Sequence, residues 1–161
     1  MPTIRDVKDS VRNFLSSQET AVVATTSPEG VPQAATMYYV IDDDFSFYFL
    51  THLESKKTRN LRDNGHVAIV IGFGPSLKTV QAGGVAEVME DWRTGTLFRK
   101  KILLQMMERI EAELGTWPVM HIQKGAELAV LKMTPTWMTY LNLDKEHDSA
   151  LYSETFYTVL P

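Results

Sequence analysis

The apolar positions of the chain follow two periods, and each period marks a kind of element. Ile4, Val7, Val11, Phe14 and Leu15 recur every three or four residues, and Thr3 precedes Asp6 in the manner of a capping box; the pattern predicts an amphipathic helix over 4–16. TAVVATT (20–26) and VPQAATMYYVI (31–41) are rich in β-formers and flank the turn chemistry of Ser27-Pro28-Glu29-Gly30, which predicts a hairpin. Asp42-Asp43-Asp44 closes it, and FSFYFLT (45–51) alternates as a third strand with Phe45, Phe47 and Phe49 on one face. Residues 55–63 read as a short helix, Gly65 stands where a left-handed cap would be, and HVAIVIGF (66–73) is a nearly continuous apolar strand.

Further along, 77–90 is a long strand whose adjacent Gly83 and Gly84 predict a bulge or a sharp bend. The spacing of Leu97, Ile102, Leu103, Met106, Ile110 and Leu114 predicts the longest helix over 94–114, with Gly115 as its stop. Two strands, 126–133 and 136–143, precede a tail, 144–161, that holds aromatics but little periodicity. No repeat or linker interrupts the pattern. The expected fold class is therefore α+β, mainly β: one domain, 1–161, with a six- to seven-stranded antiparallel barrel and three flanking helices.

Composition narrows the chemistry. The 161 residues are 44% hydrophobic, which suits a single core. A net charge of −4, from 16 basic and 20 acidic residues, does not suggest a broad nucleic-acid or membrane surface. The absence of cysteine removes disulfide scaffolds, cysteine–zinc sites, iron–sulfur clusters and thiol catalysis. The N-terminus mixes charged and apolar residues without the apolar run of a signal peptide, so a soluble, unprocessed, cytoplasmic protein is expected. His52, His66, His121 and His147 show no metal-ligand spacing, and no metal is implied. The aspartates at 42–44 read as a turn, since the later glycine and glutamate of a calcium loop are missing. No catalytic residue is assigned.

One stretch conflicts with simple helix electrostatics. In SKKTRNLRDNG (55–65), Lys56, Lys57 and Arg59 crowd the start of a helix, where unpaired N–H groups and a partial positive charge already stand. Either the cations form a solvated face, with Glu54 pairing to Thr58 or Arg59, or the turn is a receptor for a phosphate, with Ser55 as N-cap, Lys56, Lys57 and the Thr58 hydroxyl as donors.

The order of elements, the SKKTRNLR segment and Gly84-Val85-Ala86-Glu87 resemble the pyridoxamine 5′-phosphate oxidase-like family of FMN-binding split barrels over about residues 10–143. The resemblance implies a homodimer with FMN at the subunit interface. It places Lys56 and Lys57 on the FMN phosphate with Ser55 at the helix start, Leu50 and Thr51 along the ribityl chain and ring, and the backbone of Ala35, Thr36, Met37 and Tyr38 along the ring edge. Thr79 corresponds to a position near the ring, and Trp137 to a late aromatic reaching it from the partner. For Thr36, Met37, Tyr38 and Trp137, ordinary strand or interface packing is the competing reading.

The chain departs from the namesake enzymes. Val40 stands where they carry a substrate-binding lysine, and the tail lacks their arginine–histidine pair, having only Lys145 and His147 among acids. The expected function is a flavoprotein oxidoreductase acting on a small organic substrate, with NAD(P)H or oxygen as second redox partner, and not a true pyridoxamine-phosphate oxidase. Tyr38, Tyr39, Phe156 and Tyr157 are the aromatics expected to bound the substrate. The alternative is a non-catalytic flavin, deazaflavin or haem carrier.

Overall fold

A computed structural model describes residues 1–89, 105, 108 and 127–161. Its elements are α1 (Ile4–Ser17), β1 (Thr20–Thr26), β2 (Pro32–Ile41), β3 (Phe47–His52), α2 (Lys56–Asp63), β4 (His66–Gly72), β5 (Lys78–Met89), β6 (Leu128–Asn142) and β7 (Ser153–Leu160). The helix expected over 94–114 lies outside the described residues, apart from Gln105 and Glu108.

All strands pair antiparallel in the order β3-β2-β1-β4-β5-β6-β7, and a further β3–β6 ladder joins Phe47–His52 to Leu128–Met133. Six strands therefore close into a barrel, with β7 added outside on β6. Phe47, Phe49, Val23, Ile69, Ile71, Val80, Met133 and Tyr140 fill the interior, where α1 contributes Val7, Val11, Phe14 and Leu15. The α1 start is held by the expected capping box: Thr3 Oγ1 accepts from the Asp6 N–H, and Asp6 Oδ2 accepts from the Thr3 N–H at 2.7 Å. The Asp42 carboxylate accepts from the Asp44 and Ser46 N–H groups and from the Tyr48 hydroxyl, so the acidic run is indeed a turn.

Several local expectations are corrected. Phe45 belongs to that turn, with φ 63°, and β3 begins two residues later, although Phe45 still joins the core. Gly65 is not a left-handed cap. Asn64 ends α2 in an extended conformation, and Gly65 serves close approach, because a Cβ there would lie 3.1 Å from the Ala86 carbonyl oxygen. β4 alternates buried and exposed residues, and its apolar outer side chain Val70 remains accessible.

The two strands expected at 126–133 and 136–143 are one strand, β6. Pro135 does not end it, because a bulge lies there: Gly84 faces Pro135 and Gly83 faces Trp137, leaving Thr136 as the extra residue. The glycines are required by contact. A Cβ on Gly84 would lie 2.2 Å from the Thr134 carbonyl oxygen, and one on Gly83 would enter the Trp137 indole. The tail, too, is more regular than expected, since Ser153–Leu160 forms β7. Its register against β6 slips twice, which explains its weak sequence period.

Candidate functional site

The start of α2 sits at an opening in the barrel wall. β2 pairs with β1 from Pro32 to Tyr38, but its ladder with β3 begins only at Tyr39, so residues 33–37 have no strand on that side among the described residues. α2 borders this edge. The Asn60 side-chain amide, 4% exposed, donates to Thr25 Oγ1 of β1 at 3.0 Å and to Gln33 Oε1 of β2 at 3.4 Å.

Ser55 caps α2, its hydroxyl oxygen accepting from the Thr58 N–H at 3.2 Å, and the first turn contains no acid. The hydroxyls around it form a directed chain. Lys57 Nζ donates to Thr51 Oγ1 at 3.2 Å, Thr51 to Ser55 Oγ at 3.3 Å, and Thr58 Oγ1 to the His52 carbonyl at 3.1 Å. Thr58 has one hydroxyl proton and gives it to His52, so Ser55 is the donor in the 2.8 Å bond between the two hydroxyls. The Ser55 and Thr58 protons are thus engaged within the chain. For an anion there remain the N–H groups of Lys56 and Lys57, since that of Thr58 is given to Ser55, and the ammonium groups of the same two lysines.

Lys57 is half-buried, and burial pulls its pKa below the usual lysine value. No carboxylate within ion-pair distance offsets that burial among the described residues. Glu54 pairs weakly with Arg62 at 4.0 Å rather than with Thr58 or Arg59. A desolvated cation beside unpaired helix N–H groups favours a bound anion, so the residues present fit a phosphate.

The other expected site residues divide into two groups. Met37 faces the barrel core and Ala35 packs against it, so these two can offer a ligand only backbone groups. Thr36 points outward and is exposed. Tyr38 and Leu50 also face outward, but both are covered in a second apolar cluster with Val40, Tyr48, Met89 and Val130. Tyr39 is core, its hydroxyl donating to the Leu15 carbonyl at 2.6 Å, so it cannot bound a substrate as expected. Phe156 is 44% exposed on β7.

Thr79 lies on β5, across the six-stranded barrel from β2, and Trp137 lies on β6. The cross-strand rows Thr36–Val22–Val70–Gln81–Thr139 and Ala34–Ala24–Ala68–Gly83–Trp137 run across the outer face. Along them β5 is three strand spacings from β2, roughly 14 Å, and β6 four, although the closed barrel brings β6 within two of β2 by way of β3. Thr79 is buried and its hydroxyl donates to the Ile71 carbonyl at 3.0 Å. These two rows hold no charged residue, and Val22, Val70 and Trp137 are each more than 40% exposed. Two clefts of about 470 and 610 Å³ lie elsewhere, one beside Leu15 and Val40 and one between α1 and Lys78. The roles of Thr25 and Gln33 were not read from sequence; polar residues within an otherwise apolar hairpin were the available signal.

A closed six-stranded antiparallel barrel with a gap beside a cationic helix start defines the class as a split-barrel protein. A sequence profile of the pyridoxamine 5′-phosphate oxidase family matches residues 7–142, and the chain belongs to that family. A pyridoxine/pyridoxamine 5′-phosphate oxidase of Bacteroides fragilis is 24% identical over 152 residues, covering 82% of this chain and 65% of the relative, so this chain spans less than two thirds of that enzyme. Among solved structures, a heme binding protein from Mycobacterium smegmatis superposes with a TM-score of 0.67 at 15% identity, over 98% of this chain and 58% of that one. An F420 reductase superposes with a TM-score of 0.58 at 21% identity, over 79% of this chain and 94% of that one. At these identities the structures establish the fold alone.

Proposed function

We propose that this chain is an FMN-binding oxidoreductase that works as a homodimer, with flavin held between two copies and a small organic substrate at the ring. The observation that carries the reading is Lys57: a half-buried cation without an acidic partner among the described residues, set beside unpaired helix N–H groups at a gap in the barrel wall. Lys56, Lys57 and the α2 N–H groups would hold the phosphate, with Thr36 and the open edge of β2 beside the ring. The bound flavin would supply hydride transfer, leaving the protein to bind and orient. Residues 33–37 of β2 have no strand on one side among the described residues, which leaves room for a second copy as the other wall; the uncharged rows around Val22 and Val70 supply a face for that contact. Trp137, exposed on the outer face, would then reach the partner's flavin, whereas Thr79 stays buried against Ile71.

Val40 is buried among Tyr38, Tyr48, Leu50 and Val130 and offers no cation to a phosphorylated substrate. This supports a substrate other than pyridoxamine phosphate. NADH or NADPH is the proposed donor.

The test is a comparison of FMN and riboflavin. Wild-type protein should bind FMN at least tenfold more tightly, and Lys56→Ala/Lys57→Ala should abolish that preference. Equal loss of both ligands would remove the phosphate assignment. Bleaching of bound FMN by NADPH or NADH without air, with reoxidation by an added acceptor, distinguishes the oxidoreductase from a flavin carrier, and a haem absorption band would indicate the haem alternative.

A further inference from the structure

We infer that Asn60 is a positioning residue for the phosphate cradle, fixing the rotation of α2 and with it the aim of Lys56 and Lys57; the inference rests on reading the α2 start as a phosphate site. α2 has eight residues, too few for a stable helix by itself, and Leu61 is its sole apolar core side chain. A single leucine does not fix rotation. The helix is held instead at two polar points: the hydroxyl chain at its start, and the buried amide of Asn60 at Thr25 and Gln33. Thr25 is itself 2% exposed, so the contact is made away from water.

Asn60 lies four residues after Lys56 and three after Lys57, on the same side of the helix. A helix surface lies about 5 Å from the axis, so a 20° rotation would carry either lysine by roughly 2 Å. Charge-assisted bonds form over about 2.7–2.9 Å and do not survive such a shift. Asn60 cannot reach the anion directly, because its amide is occupied at the β1–β2 side. Its influence passes through the helix.

The test measures FMN and riboflavin dissociation constants for wild type, Asn60→Ala and Thr25→Val. The last removes the shorter of the two Asn60 bonds from the barrel side, keeps the side-chain shape and leaves α2 unaltered in sequence, so it serves if Asn60→Ala does not fold. The expected result is about tenfold weaker FMN binding with riboflavin changed less than twofold, in protein whose far-ultraviolet circular dichroism is that of wild type. Equal weakening of both ligands, or unchanged FMN affinity in Thr25→Val, would overturn the inference. A wild-type protein with no preference for FMN over riboflavin would instead remove the phosphate reading beneath it, and the inference with it.

Discussion

At the residue scale the decisive quantity is the proton on Lys57. Burial lowers its pKa, so in the ligand-free protein the charged form is disfavoured relative to the unfolded chain. Between the lowered folded value and the ordinary lysine value the unfolded chain binds more protons, and stability therefore rises with pH across that window. FMN binding should have the opposite dependence. Its phosphate is already a dianion above about pH 7, so affinity should fall as Lys57 loses its proton, at a pH below the ordinary lysine range. Titrating FMN affinity from pH 7 to 10 in wild type and Lys57→Ala checks this; a decline of equal size in both would place the titrating group elsewhere. Ser55→Ala should behave differently from the lysine variants. It removes the cap and breaks the hydroxyl chain, so it should lower stability by about 1 kcal/mol, readable as a shift in denaturant midpoint.

At the scale of elements, most of the architecture was legible because burial follows period. α1, the first hairpin and α2 with its Ser55 cap stand close to where hydrophobic spacing and capping residues put them. The misreadings share a cause: the break expected between 133 and 136, Gly65 as a left-handed cap and the tail as irregular are places where a contact distant in sequence decides the local conformation. Asn60 was visible as part of a motif, but its partners Thr25 and Gln33, 35 and 27 residues away, were not. The bulge makes a direct prediction. Gly84→Ala would press a Cβ against the Thr134–Pro135 backbone, which cannot move aside as a flexible side chain could, and should destabilise by about 1–3 kcal/mol in chemical denaturation. Val85→Ala, at an exposed neighbouring position, should change stability much less.

At the scale of the whole molecule, the outer barrel face carries an uncharged patch. Ten positions in two adjacent rows carry no charge in a chain that is 22% charged, and three of their larger apolar side chains stand exposed. That distribution suits an isologous contact between two copies. Sedimentation should therefore report twice the 18.2 kDa chain mass, and Val22→Lys/Val70→Lys should shift the protein to monomer with weaker FMN binding. An unaltered dimer would move the interface to another surface. Among the described residues no helix is long and apolar enough to cross a membrane.

If the α2 start holds the phosphate of FMN, an absorption spectrum of the purified protein after incubation with FMN or riboflavin and desalting will show it. Flavin bands near one per chain are expected with FMN and little or none with riboflavin. A protein that emerges colourless from both, or that keeps the two equally, would contradict it.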